Sequence, residues 1–234
     1  MIGNYEGYLD DSFDDALAAL PLNWWPWVGS NYLASELKTI VLGESIYLYD
    51  GELGSQKILH RDSLRKRHLN HGILAKYKSR FLRNFERAVF HKKHPDAAER
   101  AWLWTGVIYH NLVPRVMESL RDRPTYNDYR TGWNDFLQLA FVVKAQQCIV
   151  YGLEPKKIGA LLDVLASQST KVIRENLPAV GKNTPCILTF QHNNQSLKLL
   201  FIRHPSAFFA WREWAVILRE SGVLPLEVKT LKPL

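Results

Sequence analysis

The segment Thr39-Ile40-Val41-Leu42-Gly43-Glu44-Ser45 decides the fold class, because it places a short apolar run directly before a glycine and two polar residues. A run of this length is typical of a buried strand when turn-forming residues bound it. Three further runs have the same form, at residues 106–109, 147–151 and 197–202. With residues 39–42, the sequence therefore predicts four buried strands.

Helical patterns separate these strands, at residues 74–90, 133–143, 156–165 and 211–220. Strands that alternate with helices form parallel sheets covered on both faces. We therefore expect an α/β protein with three α/β/α layers around a central, mainly parallel four-stranded sheet. Residues 186–190 and 197–202 are expected to form a hairpin across the polar turn His192-Asn193-Asn194-Gln195.

The ends of the predicted strands are the places to look for a functional site. Ligands of such sheets bind beyond the carboxyl ends of the strands. Four polar segments stand at those ends: Gly43-Glu44-Ser45, His110-Asn111, Gly152-Leu153-Glu154 and His204-Pro205-Ser206.

The composition favours a single domain, residues 1–234, that binds a polyanion. The chain has 47% hydrophobic residues, enough for a substantial core, and a net charge of +7 that suits the phosphates of nucleic acid. Cations are concentrated in a basic helical insertion at about residues 55–100, which is either a phosphate-tracking surface or a set of solvated helix faces. No apolar run approaches the roughly 18 to 20 residues needed to cross a bilayer, so we expect a soluble protein without a membrane partner.

Cysteine usage and the N-terminus indicate a reducing, cytoplasmic location, at the nucleoid if the protein is bacterial. Cys148 and Cys186 lie in apolar runs and are expected to be buried thiols rather than a disulfide. Acidic residues stand where a secretory signal would need a basic start: Asp10, Asp11, Asp14 and Asp15.

Ordered motifs cover the chain from about Trp27 to Trp214. They are Trp27-Val28-Gly29-Ser30-Asn31-Tyr32, Thr39 through Tyr47, Tyr109-His110-Asn111, Cys148-Ile149-Val150-Tyr151-Gly152-Leu153 and Phe201-Ile202-Arg203-His204-Pro205-Ser206. In this order they resemble the uracil-DNA glycosylase superfamily, in particular its bacterial-type members with a Gly-Glu-Ser-x-Tyr first motif. The resemblance implies the uracil-DNA glycosylase-like fold. It also implies hydrolysis of the N-glycosidic bond of a deaminated base, uracil or a related one, in base-excision DNA repair.

The resemblance implies the catalytic residues His204, Glu44 and Ser45. His204 would donate a hydrogen bond to a carbonyl oxygen of the departing base, and the alternative is a core histidine bonded to backbone. Ser45 stands where the family pattern has its water-activating aspartate, and a hydroxyl supplies no negative charge. Glu44 either compensates for this or binds backbone donors of neighbouring loops, and Asp50 and Glu52 are further candidates.

The resemblance also implies a base pocket. Asn111 matches the asparagine whose amide reads the Watson–Crick edge of the extruded base, and its alternative is a turn residue or the N-cap of a helix over residues 112–120. Tyr47 matches the aromatic residue beside the C5 edge of the base, with core packing as its alternative. Gly43 of the same motif is counted with the base-binding residues.

Contacts to DNA are expected from the loop after the fourth strand, at Pro205, Ser206 and Phe208. Ser206 would donate to a phosphate. Phe208 or Phe209 would fill the stack that the extruded base vacates. The alternative for the two phenylalanines is packing with the tryptophans of the last helix.

The sequence thus predicts a monofunctional DNA glycosylase that acts as a monomer on single- or double-stranded DNA and needs no cofactor. The alternative is a catalytically inactive DNA- or nucleotide-binding module on the same fold, which the missing aspartate favours. No metal is expected, because the His68/His71 and His91/His94 pairs lack an acidic or cysteine partner. A metal-dependent nuclease would rest on Glu227-Val228-Lys229 alone.

Overall fold

The computed structural model describes residues 5, 7–48, 56–119, 121–206 and 208–223. The strands within these ranges are β1 Trp27–Val28, β2 Thr39–Gly43, β3 Ile46–Tyr47, β4 Ile108–Asn111, β5 Val116–Met117, β6 Gln147–Tyr151, β7 Val172–Asn176, β8 Cys186–His192 and β9 Gln195–Ile202. The helices are α1 Asp14–Ala18, α2 Gln56–Leu59, α3 Ser63–His68, α4 Arg80–Phe90, α5 Ala97–Thr105, α6 Tyr126–Val142, α7 Pro155–Ser167 and α8 Trp211–Glu220. A π-helical turn, Leu69–Ile73, follows α3 directly.

The central sheet has seven strands within the described ranges, in the order β1-β4-β2-β6-β9-β8-β7. The α/β class is confirmed, and the predicted strands form its parallel centre, β4-β2-β6-β9. The expectation of a four-stranded sheet is wrong, because β1, β8 and β7 extend the centre with antiparallel pairs. β1 has only two residues and β7 is almost wholly exposed, so neither produces the apolar run by which a buried strand is recognised.

Successive side chains of the central strands point to opposite faces of the sheet, so the core is divided into one cluster on each face. In β2, Ile40 and Leu42 pack in the cluster that contains α6 and α7, whereas Val41 packs in the cluster that contains α4, α5 and α8. Cys148 and Cys186 are free, buried thiols, as predicted. The sheet is therefore covered on both faces by helices, which gives three layers.

The order in which successive strands are added to the sheet reverses at β2, which lies between β4 on one side and β6 on the other. The connection from β2 to β4 runs through α3, α4 and α5 on one face, whereas β6 continues into α7 on the other face. Neighbouring strands whose connections leave to opposite faces open a crevice at their carboxyl ends. The cavity described below lies at this crevice.

The predicted hairpin is confirmed as β8 and β9, with Asn193 and Asn194 both at positive φ in the turn. Two helix predictions are corrected. The helix expected from residue 74 begins at Arg80, after the left-handed Ala75 has interrupted the helical conformation. Residues 112–119 form no helix and instead contain β5, which pairs with β3. Among the described residues, no helix is both long and apolar enough to cross a membrane.

Candidate functional site

A cavity of about 840 Å³ opens at the carboxyl ends of the parallel strands. Residues that follow or end four strands line it, so the topology brings distant parts of the sequence to one place. Predicted site residues in its lining are Glu44, Ser45, Tyr47, Asn111, His204 and Ser206. Gly43, Pro205 and Phe208 do not line it.

His204 follows β9 and presents a neutral imidazole to the cavity. Its Nδ1 accepts the backbone N–H of Ser206 at 3.3 Å, which leaves the ring proton on Nε2. Burial lowers the pKa of His204 below its usual value, against the opposing effect of Glu44, so the ring is uncharged at neutral pH. The ring lies against Tyr151 and Phe81, with centroid distances of 5.7 and 6.0 Å. His204 therefore makes the backbone bond of the alternative interpretation through Nδ1, while its Nε2–H has no acceptor among the described residues.

Lys157 does not line the cavity but holds the two carboxylates that do, Glu44 and Glu154. Its ammonium group is fully buried and reaches three acceptors: Glu44 Oε1 at 2.8 Å, Glu154 Oε2 at 2.9 Å and the Tyr151 carbonyl at 2.7 Å. All three ammonium protons are thereby used. Gly152, at φ +103°, leaves room for this network, because a Cβ there would lie 2.2 Å from Lys157 Nζ.

Glu44 is an ionised carboxylate with one engaged and one available oxygen. Burial alone would raise the pKa of Glu44, but the charge and hydrogen bond of Lys157 and the Tyr129 hydroxyl lower it below its usual value. Oε1 accepts from both Lys157 and Tyr129, the latter at 3.0 Å. Oε2 has no hydrogen-bond partner among the described residues. Glu44 thus carries negative charge into the cavity with one oxygen able to accept from a ligand or a water.

Asn111, the last residue of β4, has its amide orientation fixed from behind. The Tyr109 hydroxyl donates to its Oδ1 at 3.1 Å, so Nδ2 is the free group, and it has no acceptor in the described part of the chain. Gly43 makes this arrangement possible, because a Cβ at Gly43 would lie 2.4 Å from Asn111 Oδ1. Since residues 112–119 form no helix, the N-cap alternative for Asn111 is wrong.

Tyr47 and Ser45 both line the cavity, but only the Tyr47 hydroxyl has a hydrogen-bond partner among the described residues. Tyr47 is half-buried: it lines the cavity, packs against the core cluster beneath, and its hydroxyl accepts from Arg123 Nη1 at 3.3 Å. Ser45 Oγ is buried and has no hydrogen-bond partner in the part of the chain that the structure describes. An orphaned buried hydroxyl is costly unless a water or ligand satisfies it.

The loop after β9 places the two phenylalanines of the predicted DNA contact in different environments. Phe208 is 91% exposed at φ +52°, whereas Phe209 is buried and stacks on Trp214 with a centroid distance of 5.5 Å. Pro205 is buried and its carbonyl accepts from Asn84 at 2.8 Å, which anchors the loop to α4. Of the two aromatic side chains, only Phe208 is thus available to a partner.

Several lining residues were not singled out from the sequence. Phe81 of α4 supplies an aromatic wall beside His204, and Tyr129 and Lys157 hold Glu44. Glu154 was noted only as a strand end. One signal for Lys157 was present, since it stands three residues after Glu154 in a helical pattern.

The basic insertion proves to be partly structural. Arg65 is buried and binds Asp14 through both terminal nitrogens, and Arg83 lies 2.8 Å from the buried Glu86. Other cations of the insertion are exposed, among them Lys66, Lys76, Lys78, Arg80 and Lys93. The phosphate-tracking surface stays a prediction for this exposed set.

The candidate metal ligands among the described residues do not lie close to one another. Nowhere in the described ranges do three or more His, Cys, Asp or Glu side chains group as a metal site would require. His68 is instead buried among aromatic rings, stacked on Tyr109 at 4.5 Å. Asp50, Glu52 and the segment Glu227-Val228-Lys229 lie outside the described residues.

The cavity thus offers neutral hydrogen-bond donors, an ionised carboxylate and aromatic walls. Three cations line it against two carboxylates, and Lys157 already neutralises part of the negative charge. Such a site suits a flat polar ring attached to an anionic group. No protein-family model matches the chain, and no curated protein matches its sequence significantly.

Proposed function

We propose that the chain is a DNA base glycosylase with the uracil-DNA glycosylase-like fold, and that the cavity binds a deaminated base extruded from DNA. One observation carries the proposal: His204 and Asn111 line the same cavity, and their donors Nε2–H and Nδ2–H have no acceptor among the described residues. Deamination replaces an amino group, which donates, with a carbonyl, which accepts. A pocket that presents donors therefore favours deaminated bases over their amino parents.

The proposed chemistry uses charge at both ends of the breaking bond. As the bond between the base nitrogen and C1′ of the sugar breaks, negative charge collects on the base, and the neutral His204 donates to its carbonyl oxygen. Positive charge develops on the sugar, which the Glu44 carboxylate offsets. Water held by Glu44 Oε2 would attack C1′, forming the new C–O bond, and its proton would pass to the carboxylate.

Aromatic groups support the binding of a ring. Phe81 and Tyr151 enclose His204, and Phe81 lines the cavity. Stacking of a base on an aromatic face contributes roughly 1 to 3 kcal/mol. Extrusion from a duplex costs a few kcal/mol, so such contacts are needed to hold the base outside the helix.

A second candidate is a binding module without catalysis on the same fold. Lys157 and Tyr129 both bind the Glu44 carboxylate, and their effect makes Glu44 a weak base. Ser45 Oγ makes no hydrogen bond within the described residues. These features favour a pocket that recognises a base without activating water.

Base release distinguishes the two candidates. Purified protein is incubated with single- and double-stranded oligonucleotides that contain uracil, hypoxanthine or xanthine, and abasic sites are scored. We expect release from at least one substrate, and at least a hundredfold loss in His204→Ala, since one preorganised donor contributes about 10²–10³ in rate. His192→Ala, at the opposite end of the β8–β9 hairpin, is the matched control and should release base at the wild-type rate. Salt-sensitive DNA binding without any release would leave the binding module as the function.

A further inference from the structure

Arg123 is an exposed guanidinium in the lining of the cavity. Within the described residues its side chain makes one hydrogen bond, from Nη1 to the Tyr47 hydroxyl at 3.3 Å, and a hydroxyl carries no countercharge. No carboxylate pairs with Arg123 among the described residues. Its remaining N–H groups are therefore free to bind an anion beside the proposed base pocket.

The backbone around Arg123 is held in place on both sides. Arg115 bridges Asp122 and Asp128, with distances of 2.9 Å to each. On the other side Pro124 is buried, and Thr125 caps α6 in a reciprocal capping box with Asp128. A side chain carried between two fixed points loses less entropy on binding than one on a free loop.

The neighbouring charges favour an anion at this place. Lys156, in the first turn of α7, is exposed in the same lining and has no ion-pair partner within the described ranges. The two carboxylates of the cavity, Glu44 and Glu154, are both engaged by the buried Lys157. The unpaired charges that Arg123 and Lys156 present are thus both positive.

We propose that Arg123 binds a phosphate of the nucleotide strand next to the base that occupies the cavity, with Lys156 as a second cation. This inference rests on the proposed function and identifies its phosphate subsite. The planar guanidinium matches two phosphate oxygens at once, which a lysine cannot do. Tyr47 lies between the two subsites, because its ring borders the base pocket while its hydroxyl accepts from Arg123.

The chain offers a matched control for this residue. Arg121 is exposed on the same segment, two residues earlier, and does not line the cavity. We compare Arg123→Ala, Arg123→Lys and Arg121→Ala by binding of a fluorescent, uracil-containing single strand at several salt concentrations. Arg123→Ala should weaken binding about tenfold at low salt, and should reduce the salt slope by about 0.7, the share of one phosphate contact on single strands.

Arg123→Lys should keep the salt slope and lose part of the affinity, because it keeps the charge without the paired geometry. Arg121→Ala should bind within about twofold of wild type. If Arg123→Ala and Arg121→Ala bind equally, the subsite is refuted while base release by the wild type still supports the proposed function. If the wild type neither binds DNA nor releases base, the proposed function itself fails.

Two smaller ligands, deoxyuridine and its 5′-monophosphate, test which nucleotide carries the phosphate that Arg123 binds. Loss of affinity in Arg123→Ala for the monophosphate as well as the strand would place the phosphate on the base's own nucleotide. Loss for the strand alone would place it on a neighbouring nucleotide. Both results support the subsite, and unchanged affinity for all three ligands contradicts it.

Discussion

At the scale of single residues, Lys157 carries a fully buried ammonium group shared between two carboxylates and a carbonyl. Taking an ammonium out of water costs several kcal/mol, which its acceptors must offset. Removal of the lysine would leave Glu44 charged, largely buried and without its cation. Such an uncompensated charge typically costs about 3 to 5 kcal/mol.

Lys157→Met is therefore expected to lower the free energy of unfolding by about 3 kcal/mol at pH 7. The loss should shrink as the pH falls. In the wild type the pKa of Glu44 is depressed, so its contribution is present above the unfolded value near 4.5 and is lost as pH falls through the folded value. In the variant both effects of Lys157 are lost, and burial, the largest influence on the pKa of Glu44, is opposed only by the Tyr129 hydrogen bond and His204. The pKa of Glu44 should therefore rise, and protonation should relieve the buried charge.

Urea unfolding at pH 7 and pH 4 measures this difference. Lys156→Met is the control, because Lys156 is the exposed neighbour on α7 and should change stability by no more than about 0.5 kcal/mol. An equal loss for Lys157→Met at both pH values would show that the lysine contributes packing rather than charge.

Polar residues at strand ends were predictable from the sequence, and the lysine that connects them was not. His204, Asn111 and Glu44 each follow an apolar run, so the strand-end rule finds them. Lys157 and Lys156 are adjacent lysines on α7. Only the rotation of the helix about its axis, relative to the sheet, decides that Lys157 is buried and Lys156 exposed. That rotation depends on tertiary packing.

At the scale of elements, the loop between β9 and α8 exposes one phenylalanine and buries the next. Phe209 stacks on Trp214 and belongs to the core, whereas Phe208 contacts little and holds a positive φ. If the cavity binds an extruded base as proposed, an exposed aromatic side chain beside it is placed to enter the base stack.

The two phenylalanines should therefore give opposite results. Phe209→Ala is expected to destabilise the fold by about 3 kcal/mol, as for other buried phenylalanines. Phe208→Ala should leave stability within about 0.5 kcal/mol. It should lower base release from a duplex about tenfold and from a single strand much less, because only the duplex has a stack to fill. Thermal unfolding and release rates on both substrates measure this, and equal effects on the two substrates would contradict a wedge role.

Elements with a continuous apolar run were predicted well, and those without one were missed. β2, β4, β6 and β9 are buried on both faces and so leave a clear signal. β7 has a single partner and nearly complete exposure, so its sequence resembles a loop. At residues 112–119 the pairing of β5 with β3 replaced the expected helix.

At the scale of the whole molecule, the cavity lies where two independently packed cores meet the carboxyl edge of the sheet. The strand-end rule predicted this edge, but the wall formed by α3 and α4 was not predictable, because it depends on how the insertion packs. His68 belongs to that wall. It is buried among Trp27, Trp104 and Tyr109, and no described residue hydrogen-bonds to its Nε2.

This placement makes global stability depend on pH. Burial, with smaller effects from Arg83 and His71, lowers the pKa of His68 to about 3, from 6.5. Between these values the unfolded chain binds one proton more than the folded protein, so stability falls as pH falls, by up to about 1.4 kcal/mol per pH unit. His110 adds a contribution of the same sign, since burial lowers its pKa to about 4.

His68→Met should remove the first of these contributions. Methionine is flexible enough to occupy the aromatic pocket without a titrating group. Plotted against pH from 6.5 to 4, the free energy of unfolding of the variant should fall less steeply than that of the wild type, by up to about 1.4 kcal/mol per pH unit. Because a slope is compared rather than an absolute stability, any packing cost of the substitution cancels, and parallel curves for His68→Met and wild type would show that the buried ring is not the acid-sensitive group.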